Sequence, residues 1–298
     1  MQTIVSIILV NYNTCRITCN CIQAIIQHVK SVNYEIIVVD NQSTDDSAKI
    51  IPTISPKVRY ILSPSNLGFG RANNLGAKYA NGQYIFFLNT DTQLLNDPFP
   101  YFIKQIEQES HAGVIGGLLT SPNNELSRSG GTTYSITKYL QIAINSYKYR
   151  FTSKHHNYNT EVNPLLKVQE VDYVIGADMF MPRDLFTQIG GFDEHIFMYF
   201  EDVELCRRLK NAGYTAWLIQ GPQIVHYEGE SSSSQFMRLH NTASLMYCMK
   251  KSYNPIAFHT FQLLYFLLKF PIIFEGTRQK ENWEYLKSIY NYKKYLAD

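Results

Sequence analysis

The sequence predicts an α/β fold in which helices cover both faces of a mostly parallel sheet. From residue 3 to 119, short β-branched runs alternate with segments of helical period, a pattern typical of parallel strands joined by helices. Polar residues follow several of these runs directly, at the point where a strand would end. A chain of 298 residues is long enough for one large α/β unit or about two domains.

Seven elements are predicted in this first part. Apolar residues three and four apart in the region of residues 22–29 indicate the first helix, and Asn81-Gly82 marks the end of a later one. In chain order we expect a strand at 4–10, a helix at 16–29, a strand at 35–39, a helix at 46–51, a strand at 58–62, a helix at 69–80 and a strand at 84–88. Right-handed crossovers place the carboxyl ends of such strands along one edge, where open α/β sheets bind ligands.

The second part is less regular. Between about residues 120 and 169 the periodicity fails and Ser, Asn, Thr and Tyr dominate, which we interpret as a substrate-facing insertion. Order returns with a strand at 171–181, a helix at 183–189, a helix at 202–212 that ends at Gly213, and a strand at 214–219.

Composition excludes several classes of protein. The chain has 27 basic and 25 acidic residues and a formal charge of +2, too little for a protein whose main partner is nucleic acid. Its five cysteines contain no C-x-x-C pair, so neither a disulfide framework nor a structural zinc site is indicated. Met1-Gln2-Thr3 lead directly into an apolar run without the basic region of a signal peptide. We therefore expect the protein in the reducing cytoplasm.

Two aspartates lie where the predicted strands end. Asp40 in VVDNQSTDDS and Asp91 in FFLNTDT each follow an apolar strand. A carboxylate facing a cleft can accept hydrogen bonds from a base or ribose, or coordinate a hard cation. A single strand-end aspartate is usually a turn former or helix N-cap, but two on one edge favour a functional site.

A third acidic group, Glu201-Asp202, follows a mostly aromatic segment in FMYFEDVELCRRLKNAGY. Carboxylates between an apolar segment and a helix N-terminus have basicities set by burial and by the helix dipole. The alternative is an ordinary acidic first turn, with Glu204 paired to Arg207 or Arg208. That alternative explains Glu204 but not the aromatic residues before Glu201.

Eight motifs together resemble glycosyltransferase family 2. They are VNYN at 10–13, VVDNQSTDDS at 38–47, NLGFGRANNLG at 66–76, FFLNTDT at 86–92, IGADMFMPR at 175–183, GGFDE at 190–194, MYFEDVELCRRLKNAGY at 198–214 and VHYEGES at 225–231. The resemblance spans about residues 4–235. It is greatest to bacterial rhamnosyltransferase-like enzymes of surface polysaccharide assembly.

The resemblance implies a GT-A fold and a nucleotide-sugar donor. The residues that match donor-binding positions of the family are Val10, Asn11, Tyr12, Asp40, Asn66, Arg71, Asn89 and Asp91. Mg²⁺ or Mn²⁺ would bind at the DxD motif, whose last acid is Asp91. The first acid of the motif is replaced by Asn89, which can coordinate through its side-chain carbonyl but removes one negative charge. His226 matches a further metal ligand of some relatives, with a structural histidine as the alternative. Such a cation stabilises the negative charge of a departing nucleoside diphosphate.

The resemblance also assigns the chemistry. Asp202 corresponds to the general base that takes the proton of an acceptor hydroxyl in an inverting transfer, and Glu201 is its neighbour. Asp178 and Asp193 would shape the pocket for a glycan or lipid-linked acceptor. The sequence does not distinguish UDP-, dTDP- and GDP-sugars.

Three other functions are less consistent with these residues. A nicotinamide dehydrogenase needs G-x-G-x-x-G after the first strand, whereas the nearest match, at Gly68 and Gly70, follows the third and lacks the last glycine. A sugar nucleotidyltransferase needs a glycine-rich basic phosphate loop, which VNYNTCRIT lacks. A catalytically silent nucleotide-sugar-binding or scaffolding protein of the same fold remains the alternative, since Asn89 weakens the cation site.

The C-terminal part is rich in aromatic residues. Residues 241–298 hold 13 of the 41 aromatic residues and eight basic against four acidic side chains. The charge-free run 252–268 is shorter than the about 20 residues that span a bilayer, but one helical sector carries His259, Gln262 and Lys269 and the rest is apolar. We expect peripheral contact with anionic lipid on the inner face of the cell membrane, with packing on the catalytic domain or a homodimer as the alternative.

The sequence therefore predicts two domains. Residues 1–238 form the catalytic domain, with a nucleotide-sugar-binding half at 1–119 and an acceptor-binding half at 120–238. Residues 239–298 form a C-terminal amphipathic helical module.

Overall fold

A computed structural model describes residues 4–131, 135–149, 162–227, 234–274 and 278–297. The predictions for Met1–Thr3, for part of the 120–169 stretch and for the last four residues of VHYEGES lie outside these residues. The chain divides into two compact units. The first, called the catalytic unit below, contains residues 1–132, 159–194 and 201–231, and the second, called the C-terminal unit, contains residues 133–158, 195–200 and 232–298.

This division differs from a single boundary after residue 238. Two earlier segments join the C-terminal helices, because helix α5 (Ile136–Tyr149) packs against helix α9 (Pro255–Lys269) and because residues 195–200 bond to the same helices. The roles predicted for the two halves of the catalytic domain remain predictions.

The catalytic unit is built on one nine-stranded sheet. Its strands are β1 (Val5–Asn11), β2 (Tyr34–Asp40), β3 (Val58–Leu62), β4 (Tyr84–Leu88), β5 (Thr92–Leu94), β6 (Ala112–Thr120), β8 (Val168–Val171), β10 (Asp178–Pro182) and β11 (Thr215–His226), while β7 (Gly130–Gly131) and β9 (Tyr173–Val174) pair separately. The order is β3-β2-β1-β4-β10-β6-β11-β5, with β8 also beside β11. Six of the nine strands run in one direction, and β5, β8 and β10 run against them.

Helices connect these strands. The helices of the catalytic unit are α1 (Cys15–His28), α2 (Ser47–Ile50), α3 (Gly68–Ala77), α4 (Phe99–Gln108), α6 (Arg183–Gln188) and α7 (Glu201–Asn211), and all of them except α4 lie where the sequence predicts a helix. Strand residues alternate between two apolar layers, with Ile7 and Phe86 in one and Ile8 and Phe87 in the other. Both faces of the central strands are therefore buried, as expected for a sheet covered on two sides.

Two element predictions were wrong. The strand expected at 171–181 is three short strands, because β9 pairs with β7 and the chain turns before the antiparallel strand β10. The strand expected at 214–219 continues to His226 past a bulge between Ile219 and Ile224. Within the 120–169 stretch, for which the sequence predicts no element, the chain forms α5.

The C-terminal unit is helical. It contains α5, α8 (Ser234–Ser252), α9 and α10 (Gln279–Ser288), with short 3₁₀ turns at Phe270–Phe274 and Tyr292–Tyr295. Among the described residues, one stretch, Pro255–Phe274, is long and apolar enough to cross a membrane by length and composition alone. It exceeds the predicted 17-residue run because the 3₁₀ turn extends the helix and Lys269 is its one charged residue.

Helix α9 exposes part of the apolar set that the sequence predicts, since Ile256, Leu263 and Leu267 are 82, 51 and 55% exposed. His259 of the predicted polar sector is also exposed. Gln262 of that sector is instead buried, and its Nε2 donates to the Ile289 carbonyl at 2.8 Å. The side chains of Ile256, Leu263 and Leu267, 7 and 11 positions apart, share one side of the helix, and they are called the exposed α9 face below.

Candidate active site

The edge formed by the carboxyl ends of β1, β2 and β3 carries the first predicted donor residues. In the sheet register Asn11 lies opposite Asp40, and Asp40 lies opposite Leu62. The predicted convergence of strand ends is therefore confirmed for these three strands. Val10 is half-buried one residue before the edge, and Tyr12 is 47% exposed one residue beyond it.

Asn11 and Asp40 are the centre of a buried polar network. Asn11 Nδ2 lies 2.5 Å from Asp40 Oδ2 and 2.9 Å from Ser47 Oγ, while its Oδ1 accepts hydrogen bonds from two threonine hydroxyls. The other Asp40 oxygen accepts from the Ser43 amide at 2.7 Å. Both side chains are fully buried. In this structure Asn11 and Asp40 fix the shape of the loops that follow β1 and β2. Among Val10, Asn11, Tyr12 and Asp40, the exposed side chain is that of Tyr12.

Asn66 and Arg71 lie where the chain enters α3. Asn66 Oδ1 accepts a hydrogen bond from the Gly68 amide at 3.0 Å, which satisfies one free amide at the start of the helix. Arg71 is half-buried, and its Nε donates to the Leu67 carbonyl at 3.4 Å. Gly68 has φ of 76°, a backbone conformation that glycine adopts without strain.

The predicted cation ligands come from strands distant in sequence. Strand β11 runs antiparallel to β5, which brings His226 beside Thr92. As a result His226 Nε2 lies 3.3 Å from Asp91 Oδ1, with both side chains largely buried. Asn89 is half-buried two residues before Asp91. A carboxylate, an imidazole and an amide carbonyl are donors that suit Mn²⁺ or Mg²⁺, so the residues present fit a divalent cation, although no group of three His, Cys, Asp or Glu is found in the described residues.

The acid pair opens helix α7. Asp202 Oδ2 accepts from the Gly176 amide at 2.9 Å, and Oδ1 accepts from the Val203 amide at 2.7 Å. Burial raises the pKa of Asp202, whereas Arg128 and these amides act to lower it. Glu201 is 6% exposed, and its Oε2 has no hydrogen-bond partner among the described residues.

The two acids are therefore unequal. Burial, followed by repulsion from Asp202, raises the pKa of Glu201 to about 8. Asp202 has amide donors at Gly176 and Val203 and a nearby cation at Arg128 that act to lower its pKa, whereas the amide that acts so on Glu201 is its own. These contacts favour Glu201 as the protonated member of the pair and Asp202 as the ionised one, which is the separation of roles found where two carboxyls act as acid and base.

The predicted acceptor residues are placed differently. Asp178 is fully buried, its Oδ2 accepts from the Gly117 amide at 2.6 Å, and burial raises its pKa well above the ordinary value. Its side chain is thus enclosed in the sheet, where it has no open surface for an acceptor. Asp193 is half-buried in the turn after Gly191. An acceptor role for either residue remains a prediction.

Two consecutive residues, Gly176 and Ala177, connect the predicted cation ligands to the acid pair. In the loop before β10, the Ala177 carbonyl accepts from the Asn89 amide at 3.0 Å, and the Gly176 amide donates to Asp202. The first DxD position and the candidate base are therefore bonded to consecutive residues of one loop. Sequence alone cannot show this link, because it joins positions more than 100 residues apart.

Two residues of the site were not predicted, namely Arg128 and Asn74, although Asn74 lies within the NLGFGRANNLG motif. Arg128 lies in the stretch without periodicity, yet it acts on Asp202 and donates to Tyr173 Oη at 2.8 Å. Asn74 holds the GGFDE turn, since its side chain accepts from the Phe192 amide and donates to the Phe192 carbonyl. The predicted Glu204 ion pair is confirmed with Arg208, at 2.8 Å.

Comparisons with known proteins identify the family of the chain. The sequence profile described as Glycosyl transferase family 2 matches residues 6–186. The chain is 28% identical over 238 residues to rhamnosyltransferase WbbL of Escherichia coli, covering 74% of this chain and 83% of that protein. It is 25% identical over 211 residues to N-acetylglucosaminyl-diphospho-decaprenol L-rhamnosyltransferase of Mycobacterium tuberculosis, covering 66% of this chain and 67% of that one.

A solved structure confirms the GT-A fold. The crystal structure of GalNAc-T7 with UDP, GalNAc and Mn²⁺ aligns with a TM-score of 0.64 at 13% identity, over 97% of this chain. This chain spans 56% of that protein's length, and at this identity the likeness shows the fold alone. Together with the profile match over more than half of the sequence, it establishes that the chain belongs to glycosyl transferase family 2 and is a glycosyltransferase.

Proposed function

We propose that the protein is an inverting glycosyltransferase that moves a sugar from a nucleoside diphosphate donor to a hydroxyl of a glycan or lipid-linked acceptor in bacterial surface polysaccharide synthesis. The observation that carries this proposal is the loop at Gly176 and Ala177, which bonds the candidate base and the DxD segment from consecutive residues. A base and a diphosphate site must flank the same anomeric carbon for a displacement with inversion, and one loop bonded to both segments supports that arrangement.

Asp202 acts as the general base in this proposal. As the acceptor oxygen forms its bond to the anomeric carbon, Asp202 takes the hydroxyl proton, and the bond from that carbon to the diphosphate oxygen breaks. The amides of Gly176 and Val203 fix the carboxylate in one orientation. Glu201 keeps its proton at neutral pH, so it does not compete for the role.

Asp91 and His226, with Asn89, are the residues that would hold Mg²⁺ or Mn²⁺. A bound cation supplies charge stabilisation to the departing diphosphate. The chain's own contribution is to align Asp91 and His226 across the β5–β11 pair, and to direct the Asn89 backbone toward Ala177. Tyr12 offers an exposed ring for the donor base, and Arg71 a cation for its phosphates.

The first test is Asp202→Asn. We expect sugar transfer to fall by at least about a hundredfold, with donor binding by calorimetry nearly unchanged because Asp202 does not touch the nucleotide. The assay is nucleotide release from a panel of UDP-, dTDP- and GDP-sugars with Mn²⁺ or Mg²⁺. Transfer by the variant at more than a few percent of the wild-type rate would rule out Asp202, and donor binding with no release by the wild type would favour a silent binding protein.

We further propose that the exposed α9 face contacts an anionic membrane surface. Ile256, Leu263 and Leu267 present apolar area next to a tail with eight basic and four acidic residues, which is the composition of an interfacial helix. The mycobacterial relative acts on a decaprenol-linked acceptor according to its name, and a lipid-linked acceptor would lie at the same surface.

Flotation with anionic liposomes tests this contact. Leu263→Glu combined with Leu267→Glu should abolish flotation, because it places two negative charges on the exposed α9 face, which in this proposal contacts the anionic lipid. Ile50→Glu combined with Leu95→Glu changes two equally exposed apolar residues of the catalytic unit and should leave flotation intact. Equal flotation of the two double variants would contradict the membrane contact. A dimer that is disrupted by the Leu263→Glu, Leu267→Glu variant and not by the other would contradict it as well.

A further inference from the structure

The first turn of helix α3 lies directly against the acid pair within the catalytic unit. A β-carbon added at Gly176, in the loop before β10, would lie 3.0 Å from Phe69 Cε1 and 4.0 Å from Asp202 Cβ. A β-carbon added at Gly70 would lie 3.6 Å from Glu201 Cβ. Two consecutive residues of α3 therefore adjoin the pair, Phe69 through the Gly176 loop and Gly70 directly.

Both glycines are positions where space, not backbone conformation, excludes a side chain. Gly70 and Gly176 have φ outside the left-handed region, so other residues could adopt their backbone conformation. At Gly176 the Phe69 ring limits the space, with Cε1 at 3.0 Å and Cζ at 3.3 Å from an added β-carbon. At Gly70 the limit is Phe192 Cβ, at 3.1 Å. The glycines thus allow a close approach between segments that are distant in the chain.

The Gly176 amide orients the candidate base. It donates to Asp202 Oδ2 at 2.9 Å, while Oδ1 accepts from the Val203 amide of the same helix as Asp202. The Val203 amide moves with α7, whereas the position of the Gly176 amide depends on what packs against its loop. The half-buried Phe69 ring closes the side of Gly176 on which a side chain would stand, and it also contacts the Phe192 ring edge-on, with centroids 6.2 Å apart.

Phe69 also belongs to the segment that is predicted to bind the donor. Asn66 and Arg71 flank it in the chain, and Asn66 Oδ1 accepts from the Gly68 amide at the start of α3. The segment that carries two predicted donor residues is therefore the segment that limits the position of the Gly176 loop.

We propose that Phe69 is a positioning residue, which holds the Gly176 amide against Asp202 and so keeps the carboxylate in the orientation needed to take the acceptor proton. The glycines at 70 and 176 permit the close packing on which this depends. The inference rests on the proposed function of Asp202 as the base. It assigns to the NLGFGRANNLG motif a part in the chemical step in addition to its predicted part in donor binding.

Gly176→Ala perturbs this contact without removing the amide. The added methyl group requires the ring or the loop to move by a few tenths of an ångström. Because a displacement of about 1 Å costs about a hundredfold in rate, we expect kcat to fall about three- to tenfold, with donor binding by calorimetry nearly unchanged. Gly113→Ala is the matched control, since its β-carbon would lie 2.9 Å from Tyr214 Cβ, beyond the other end of α7, and it should keep the wild-type kcat.

Phe69→Leu changes the other side of the contact. Leucine lacks the ring that closes the side of Gly176, so kcat should fall by a similar factor. The variant with both changes should lose no more activity than the more impaired single variant, because the two changes act on one contact. Tyr214→Leu alters another half-buried ring of the catalytic unit and should keep the wild-type kcat. Losses that multiply in the double variant, or wild-type kcat in both single variants, would overturn the positioning role.

Urea unfolding of the full-length protein separates this inference from the proposed function. The change in urea midpoint caused by Asp202→Asn should differ between the wild-type and Phe69→Leu backgrounds, because Phe69 acts on Asp202 through Gly176. It should be equal in the wild-type and Tyr214→Leu backgrounds. Equal changes in all three backgrounds overturn the positioning role. If the wild type transfers no sugar and the Phe69→Leu background still differs, the proposed activity is overturned and the positioning of the Asp202 carboxylate is supported.

Discussion

Replacement of Glu201 by glutamine is expected to stabilise the protein increasingly as pH rises. The glutamate is 6% exposed, one of its oxygens has no hydrogen-bond partner among the described residues, and Asp202 adjoins it. Burial and that neighbour raise the pKa of Glu201 from 4.5 to about 8. Glutamine has nearly the same shape and carries no proton to lose.

The sign follows from proton binding in the two states. Below pH 4.5 Glu201 is protonated whether the chain is folded or unfolded, and its contribution to stability is then greatest. As pH rises toward 8 the unfolded chain releases this proton while the folded chain keeps it, so the wild type loses stability. One proton over this interval is worth about 1.4 kcal/mol per pH unit, and the variant should gain at most about 5 kcal/mol relative to the wild type by pH 8.

Urea unfolding at pH 5, 6, 7 and 8 measures the difference. Because Asp178 is also buried with a raised pKa, the difference between the wild type and Glu201→Gln is compared, and this difference reports Glu201 together with its effect on the adjacent Asp202. Glu109→Gln, on the exposed end of α4, controls for loss of a carboxylate and should parallel the wild type. A constant gap between wild type and Glu201→Gln across this range would refute the buried, protonated glutamate.

Two further predictions concern the charged groups of the site. Arg128→Gln removes a cation that lowers the pKa of Asp202, so the acid limb of the pH profile of kcat should move to higher pH. Arg59→Gln changes another exposed arginine over a tyrosine ring and should leave the acid limb in place. Coincident profiles of the wild type and Arg128→Gln would contradict an effect of Arg128 on Asp202. His226→Ala should raise the Mn²⁺ concentration that gives the half-maximal rate at least about tenfold, measured by Mn²⁺ titration after chelation. The exposed control His111→Ala should leave this concentration unchanged, and the same result for His226→Ala would exclude His226 as a ligand.

The first half of the fold could be predicted from sequence because its signals are local. Strand β4 is apolar on both faces and α1 has a clear helical period, so both were found within one residue of their ends. The antiparallel strand β10 was not separated from the residues before it, because its ends depend on pairing with β4 and β6. Periodicity within one segment contains no information about such a partner.

The residues of the candidate site also fall into those with a local sequence signal and those that depend on contacts between distant segments. Asp91 and Asp202 are recognisable from their motifs, since each follows a strand or begins a helix with a fixed neighbourhood. Arg128 acts through space on a residue 74 positions away in the chain, from a region without a period. The burial of Asp178 likewise depends on the closing of β10 against β6, which no single motif describes.

A protonated Glu201 has a consequence for the reaction as well as for stability. In the proposed function a nucleoside diphosphate brings negative charge to the site of Asp91, where Asn89 takes the place of a second acid. If Glu201 were also ionised, Asp202 would face a like charge at close range, and its affinity for a proton would rise above what the base needs. Burial raises the pKa of Glu201 and so disfavours that charge, while the amides of Gly176 and Val203 act to lower the pKa of Asp202. The destabilising position of Glu201 is therefore consistent with a role in lowering the charge of the site, because a carboxyl retained only for packing would be better replaced by an apolar or amide side chain.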